Sequence, residues 1–318
     1  MKGFVTYILF LMSALVIRGQ QFPQYTQFMF NKIGYNPAAS GVSLAAPFEI
    51  IMGARTQWIG LSNNPKSQFV SMNYNFVPQR SYKGWHNVGM YVDQDQNGIF
   101  SHNDVWLSYT YHLAASRKFL ISAGLFAGIK QYKLSSGVLD PADPAVKSSR
   151  SSVIAYPDLV PGIRLSSKKF FMDLSLQQIS IYKQKGIGGQ IGSPSKLSPH
   201  YNFSIGRKII FFDINNLVIA ANLRGSLRGM PSAEITAVEY VYKRVGFGVS
   251  VRSKNYVAGI LQFRLVRSLV IGMAYDLSIN KSFGASPHNA EIMIGLTPVF
   301  NGEVLQKKES RVLDECTF

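Results

Sequence analysis

The residues with the clearest chemical potential lie in the stretch DQDQNGIFSHND, residues 93–104. Asp93, Asp95, Asn97, Gly98 and Asp104 take positions 1, 3, 5, 6 and 12 of this stretch, which is the spacing of a calcium-binding loop. However, position 12 carries Asp where the bidentate Glu is expected. Asn and Gly neighbours are also usual in β-hairpin turns. We therefore expect a hairpin and no metal site, and calcium binding is the alternative.

No other stretch offers a convincing set of reactive residues. GIGGQIG, residues 186–192, misses the spacing of a phosphate-binding loop, and no strand and helix flank it. The few histidines are scattered, and no Ser, His and Asp set can be nominated. We therefore expect neither an enzyme nor a bound cofactor.

Composition narrows the class of protein. The formal net charge is +16, but the Lys and Arg residues are dispersed and no recognition motif accompanies them, so we do not expect nucleic-acid binding. A basic surface that faces anionic lipid or an acidic partner fits better. Residues 1–19 have the layout of a secretory signal peptide, with an apolar run too short to span a membrane as a helix. Cys316 is the single cysteine, so no disulfide forms within the chain.

Apolar and polar residues alternate along most of the remaining chain. In QFVSMNYNF, Val70 and Met72 share one face, whereas Ser71 and Asn73 share the other, and DVWLSYTYHL and SLVIGMAYDLSI repeat the pattern. This period predicts about 14 strands, near 48–58, 66–77, 87–93, 104–114, 118–133, 157–166, 169–179, 200–207, 215–224, 232–242, 244–252, 255–265, 268–279 and 289–299.

The lengths of the predicted connections favour a membrane barrel over a sandwich. The long segments near 134–156 and 180–199 both fall between an odd strand and the next even one, whereas the abrupt turns at 115–117, 167–168 and 266–267 fall at the other end. Long external loops with short periplasmic turns are typical of outer-membrane barrels. We therefore predict an all-β, 14-stranded antiparallel transmembrane barrel over residues 48–300, with a periplasmic tail at 301–318.

In this register the polar face becomes the lumen. The charged or amide residues predicted to point inward are Arg55, Gln57, Asp93, Lys130, Arg164, Asp173, Arg224, Arg264, Asp276 and Glu291. Because a barrel of this size leaves an interior space, residues 20–47 are predicted to form a plug or a periplasmic segment. We expect Arg55 and Gln57 to contact it, although a simple lumen ion pair is the alternative.

The start of this segment resembles a known family. QYTQFMFNKIGYNPAASG is similar to the opening of PorP/SprF outer-membrane proteins, which are linked to type IX secretion and gliding motility in the Bacteroidetes. ARTQWIGL, DQDQNGIF, LSYTYHL and AYDLSI resemble later blocks of that family in the same order. SPHNAEI and the tail after Phe300 depart from its pattern. The matching residues of the opening segment are Tyr25, Gln27, Met29, Phe30, Asn31, Asn36, Pro37 and Ala38.

The resemblance implies a barrel of the fatty-acid-transporter type that is not an enzyme. It implies a role in the export or surface attachment of a large adhesin with a C-terminal sorting domain. The partners would be that adhesin, other type IX components and outer-membrane lipid. We expect plug contacts at Tyr25, Gln27, Phe30 and Asn31, and partner contacts at the loop lysines Lys183, Lys185 and Lys196. A channel for a small hydrophobic ligand is the alternative function.

Overall fold

The structure is a computed structural model that describes residues 23–42, 47–76, 83–116, 118–134, 153–179, 199–211, 215–226, 231–253, 256–266, 268–279 and 288–298. The predicted signal peptide, the predicted tail and the loop lysines Lys183, Lys185 and Lys196 lie outside these residues.

The described chain begins with two short helices and continues as fourteen strands. Helix α1 spans Lys32–Tyr35, and a 3-10 helix spans Pro37–Ala39. Neither of these described helices has the length or apolar character that crossing a membrane requires. The strands are β1 (Phe48–Thr56), β2 (Lys66–Phe76), β3 (Gly84–Asn97), β4 (Phe100–Ala114), β5 (Leu120–Leu134), β6 (Val153–Ser166), β7 (Phe170–Gln177), β8 (His200–Phe211), β9 (Asn215–Ser226), β10 (Ser232–Val241), β11 (Val245–Arg252), β12 (Tyr256–Val266), β13 (Leu269–Ser278) and β14 (His288–Leu296).

The strands close into one antiparallel barrel. Each strand pairs with its sequence neighbours, and β1 also pairs with β14. The side chains alternate as predicted: Met72 and Leu107 are 38% and 66% exposed, whereas Asn73 and Ser108 are 3% and 6% exposed. Because β1 pairs with β14, the closed sheet has no first or last strand with an unpaired side, and the outer surface is apolar. The predicted 14-stranded barrel is therefore confirmed.

The longest connections between strands lie at one end of the barrel, and most of the short turns lie at the other end. The two longest, residues 135–152 and 178–199, leave one end of the barrel, which we call the long-loop end. The connections at 115–119, 167–169 and 242–244 leave the opposite end, which we call the short-turn end. This arrangement follows the predicted sorting of connections.

Several predicted strand bounds were wrong, most of all around the β3–β4 hairpin, at the start of β6 and at the end of β8. β3 continues to Asn97 and β4 already starts at Phe100, because polar residues that alternate above the apolar belt still pair across the hairpin. β6 starts at Val153 instead of Pro157 because it follows the full length of β5. Its ladder with β7 covers only Gly162–Ser166. Proline lacks an N–H, so Pro157 suits a strand that has one ladder partner over this stretch.

Residues Pro23–Val42, which we call the lumen segment, lie inside the barrel. Most of its residues are buried, and its contacts are with inward-facing residues of the strands. Two wall glycines make room for it, since a Cβ at Gly124 would overlap the backbone of Ala38, and one at Gly162 would overlap Asn36. The barrel interior is therefore shaped around this segment.

The conformation of the lumen segment follows from its own asparagines. The Asn31 side chain caps α1 by accepting a hydrogen bond from the Gly34 N–H at 3.3 Å. The Asn36 side chain caps the 3-10 helix by accepting from the Ala38 N–H at 2.9 Å, with Pro37 in the first helical position. These caps explain why the segment has neither strand nor long-helix periodicity.

Aromatic residues of the lumen segment and the wall form the apolar core. Tyr25 packs edge-on against Phe69, with ring centroids 5.0 Å apart. Tyr91 contacts Trp106 and Phe126 at centroid distances of 5.9 Å each. These rings, with Ile33, make one buried cluster between the segment and β2 to β5. Offset and edge-on aromatic pairs of this kind stabilise a core beyond their buried area.

Candidate functional site

The lumen segment is held near the long-loop end by two carboxylates from the last strands. The Thr26 N–H donates to Glu291 Oε2 at 2.8 Å, and the Gln27 N–H donates to Glu291 Oε1 at 3.0 Å. The Thr26 hydroxyl lies 2.7 Å from both oxygens of Asp276. Backbone donors that no helix or strand uses are therefore satisfied by buried acids.

Two arginines complete the surroundings of the Thr26 hydroxyl. Arg55 Nη1 donates to Thr26 Oγ1 at 2.8 Å and to Glu291 Oε2 at 3.1 Å, and Arg55 Nη2 donates to Asp276. Arg252 Nη2 donates to Thr26 Oγ1 at 2.9 Å and also pairs with Glu234. A hydroxyl has one proton and two lone pairs, so these contacts use its full capacity. We call Thr26, Arg55, Arg252, Glu234, Asp276 and Glu291 the Thr26 seat.

Two tyrosines fix the start of the segment. The Tyr25 N–H donates to the Tyr35 hydroxyl at 3.1 Å, and that hydroxyl donates to the Tyr25 carbonyl at 3.0 Å. Burial raises the pKa of Tyr35 to about 12, and burial followed by the Asp93 charge raises the pKa of Tyr25 well above its ordinary value. Both hydroxyls therefore stay protonated and can donate, and Tyr25 donates to Asp93 Oδ1 at 3.2 Å.

A second set of contacts holds the segment towards the short-turn end. Asn36 Nδ2 donates to the Ile163 carbonyl at 2.9 Å and to Asp173 at 3.1 Å, and Asp173 pairs with Arg164 at 2.7 Å. Thr110 donates to the Pro37 carbonyl at 2.9 Å. At the end of the segment, Trp85 Nε1 donates to the Gly41 carbonyl at 3.1 Å. The segment is thus bound along its length and not only at one point.

Most of the residues predicted to contact the plug do contact the lumen segment or belong to it. Arg55 and Tyr25 make the bonds described above, Gln27 Oε1 accepts from Gln262 at 3.1 Å, and Asn31 Nδ2 donates to the Tyr91 hydroxyl at 3.1 Å. Phe30 packs against the same aromatic cluster and lies over Gly272.

Two residues that were predicted to point inward, Gln57 and Arg264, are not among the buried residues of the lumen. Gln57 lies beyond the last residue of β1, so strand alternation no longer directs its side chain, and only its backbone N–H is bonded, to Pro65, within the described chain. Arg264 keeps the regular ladder register opposite Val270, and it lies near the short-turn end of β12, where its side chain is exposed.

The sequence analysis missed Thr26, Arg252 and Glu234. The last two are directly opposite each other on β11 and β10 and follow the inward alternation of their strands, so that pattern could have identified them. Thr26 has no such signal, because it lies outside any strand.

The stretch that resembled a calcium loop is a continuous hairpin. Asp93 lies opposite Asp104, Asp95 opposite His102, and Asn97 opposite Phe100. The turn itself is formed by Gly98, at φ 62°, and the residue that follows it. Because the residues of the predicted calcium loop line two paired strands, they do not encircle one centre as the ligands of a twelve-residue calcium loop do.

The sequence match decides the family. Residues 17–296 match the family described as type IX secretion system membrane protein PorP/SprF. The chain belongs to the PorP/SprF family. No individually curated protein matches the chain significantly in sequence.

Two solved structures with a similar fold are named as transport proteins. The toluene transporter TbuX of Ralstonia pickettii is 10% identical, with a TM-score of 0.54 over 88% of this chain and 95% of that chain. The monoaromatic hydrocarbon channel CymD is also 10% identical, with a TM-score of 0.53 over 89% and 95%. At this identity the similarity concerns the fold. This PorP/SprF protein is a closed, 14-stranded antiparallel β-barrel of the outer membrane.

Proposed function

We propose that this PorP/SprF protein is a non-enzymatic outer-membrane component of type IX secretion that supports the export or surface attachment of a large adhesin. The adhesin would carry a C-terminal sorting domain, and the process served would be gliding motility or surface display. Other secretion components and outer-membrane lipid are the further partners. Residues 1–19 would be removed as a signal peptide, and the lumen segment would act as a plug.

The filled lumen is the observation that best supports this function. The Thr26 seat and the Asn36 contacts hold the segment at two levels of the barrel. The cavity beside Tyr25, Asp93 and Arg224 has room for only about one or two water molecules. A barrel that is blocked in this way is suited to present an external binding surface.

The alternative is a channel for a small hydrophobic ligand, which the names of TbuX and CymD suggest. Such a ligand needs a pocket lined mainly by apolar side chains. The Thr26 seat instead places Arg55, Arg252, Asp276 and Glu291 across the lumen. Displacing the segment would remove the hydrogen bonds that Thr26 and Gln27 make to these buried charges, so we favour the secretion role.

The external loops are the proposed docking site, and they can be tested by charge reversal. Lys183, Lys185 and Lys196 in the long connection before β8 would attract an acidic partner domain in a salt-dependent way. The variant Lys183→Glu, Lys185→Glu, Lys196→Glu should fold normally but retain less adhesin on the cell. The matched control reverses Lys118, Lys169 and Lys243, which are exposed at the short-turn end.

Surface adhesin is measured by antibody labelling of whole cells, with heat-modifiable migration of the barrel as the folding control. We expect reduced labelling with the loop variant and normal labelling with the control. If the loop variant folds and retains adhesin at the wild-type level, the loops are not the docking site. Uptake of a monoaromatic hydrocarbon by vesicles that contain the purified barrel would instead favour the channel.

A further inference from the structure

Four inward-facing carboxylates gather on the half of β3 to β6 that lies towards the long-loop end. Asp93 lies opposite Asp104 across β3 and β4, and Asp104 lies opposite Lys130 across β4 and β5. Lys130 Nζ lies 2.8 Å from Asp104 Oδ2 and is the ammonium that pairs with this group in the described part of the chain. The four carboxylates belong to Asp93, Asp95, Asp104 and Asp158. Arg224 lines the adjoining cavity and is the second cation close to the group.

Three carboxylate oxygens in this group have no hydrogen bond from any described residue, and one of them, Asp104 Oδ2, is ion-paired with Lys130. The other two are Asp104 Oδ1 and Asp158 Oδ2, and Asp104 and Asp158 are 1% and 4% exposed. A buried charged oxygen without a donor is costly, and native proteins usually satisfy such atoms with a water or an ion. The small cavity beside the group is lined by Asp93, Asp104 and Trp106 on the wall and by Tyr25 on the lumen segment.

His102 adds a nitrogen ligand with the orientation that metal sites use. Its Nε2 lies 3.8 Å from Asp104 Oδ2, and its Nδ1 lies 3.8 Å from Asp95 Oδ2. Ligand atoms of Asp93, His102 and Asp104 all lie within 4.8 Å of one another. Because metal bonds to such ligands are about 2.0 to 2.2 Å long, a small inward movement would close this set around one ion. A metal-bound histidine commonly has its second ring nitrogen next to a carboxylate, here that of Asp95.

We propose that Asp93, His102 and Asp104 bind a divalent transition-metal ion such as Zn²⁺. A mixed nitrogen and oxygen ligand set favours Zn²⁺ or a neighbouring metal over Ca²⁺, which takes oxygen ligands. Lys130 competes with the ion for Asp104. Because the Tyr25 hydroxyl bonds to Asp93, the bound ion links the β3–β4 hairpin to the lumen segment. This site does not depend on the identity of the secreted partner.

The test measures Zn²⁺ binding to the purified full-length barrel by calorimetry and by the shift in melting temperature. We expect about one ion per barrel, and His102→Gln should weaken binding at least about tenfold. Lys130→Met should strengthen binding, since it removes the competing ammonium. The matched control is His86→Gln, because His86 faces outwards on β3 and bonds to Tyr109.

Several results would overturn the site. They are an absence of Zn²⁺ binding by the folded wild-type barrel, equal binding by His102→Gln, a loss of binding with His86→Gln, or weaker binding by Lys130→Met. If His102→Gln does not fold, the visible spectrum of the wild-type barrel with Co²⁺ is the second measurement. A spectrum indistinguishable from aqueous Co²⁺ would also overturn the proposal.

Discussion

Replacing Arg55 by methionine tests whether the Thr26 seat holds the lumen segment. Methionine keeps much of the length of the side chain but removes its charge and its donors. Arg55 is 2% exposed, and it bonds to Asp276, Glu291 and Thr26. The variant therefore leaves two buried carboxylates without their shared cation.

The expected loss of unfolding free energy depends on the hydrogen bonds that Glu291 and Asp276 keep in the variant. Removing one partner of a buried ion pair costs roughly 3 to 5 kcal/mol. Glu291 still accepts from the N–H groups of Thr26 and Gln27, and Asp276 still accepts from the Thr26 hydroxyl. Because these donors stabilise the remaining charges, we expect the lower end, about 3 kcal/mol of unfolding free energy.

The assay combines urea unfolding of the barrel in detergent with amide hydrogen exchange of the lumen segment. Arg55→Met should lower the unfolding free energy and speed exchange at Thr26 and Gln27. Arg264→Met is the matched control, since Arg264 is exposed, and it should change stability by less than about 0.5 kcal/mol. Unchanged exchange at Thr26 and unchanged stability in Arg55→Met would refute the reasoning.

Three further predictions concern the register, the fit and the ionisation of the segment. Met72→Arg, on the lipid face of β2, should cost roughly 2 to 4 kcal/mol in urea unfolding, whereas Lys66→Arg at the end of the same strand should be nearly neutral; equal effects would contradict the register. Gly162→Leu should displace Asn36 and speed exchange nearby, whereas Gly259→Leu should not, because nothing lies within 4 Å of a Cβ at Gly259. Burial raises the pKa of Tyr35 to about 12, against about 10 in the unfolded chain. The contribution of Tyr35 to the free energy of unfolding is therefore complete below pH 10 and is lost as the pH rises towards 12. Proteolysis of the segment should therefore increase over that range and depend less on pH in Tyr35→Phe; identical pH profiles would contradict this.

The barrel could be predicted from the local sequence because residues along each strand alternate between the lipid-facing side and the lumen side. Met72 and Asn73 are adjacent in sequence and opposite in exposure, so alternation alone indicates which side faces lipid. The prediction of strand bounds failed where both faces of a strand carry polar residues. Between Asp93 and Asp104 both faces are largely polar, so the hairpin was expected but its two strands were predicted too short.

The site could be predicted only in part. Arg55 was expected inside because its strand fixes its direction, and it does contact the lumen segment. Its acceptors could not be assigned from sequence, since the curvature of the closed barrel decides which inward residues meet. Thr26 was missed because nothing local indicates that a threonine in an irregular segment will meet two arginines and two acids.

The composition of the Thr26 seat also constrains the order in which the protein assembles. The lumen segment precedes every strand, yet its seat draws on β1, β10, β11, β13 and β14, so the seat is complete only after the final strand has paired with the first. Contacts between distant parts of a chain form late, because loop-closure entropy is lost before they contribute. The segment therefore stays without its main anchor through most of insertion, and its docking marks the moment at which the barrel has closed.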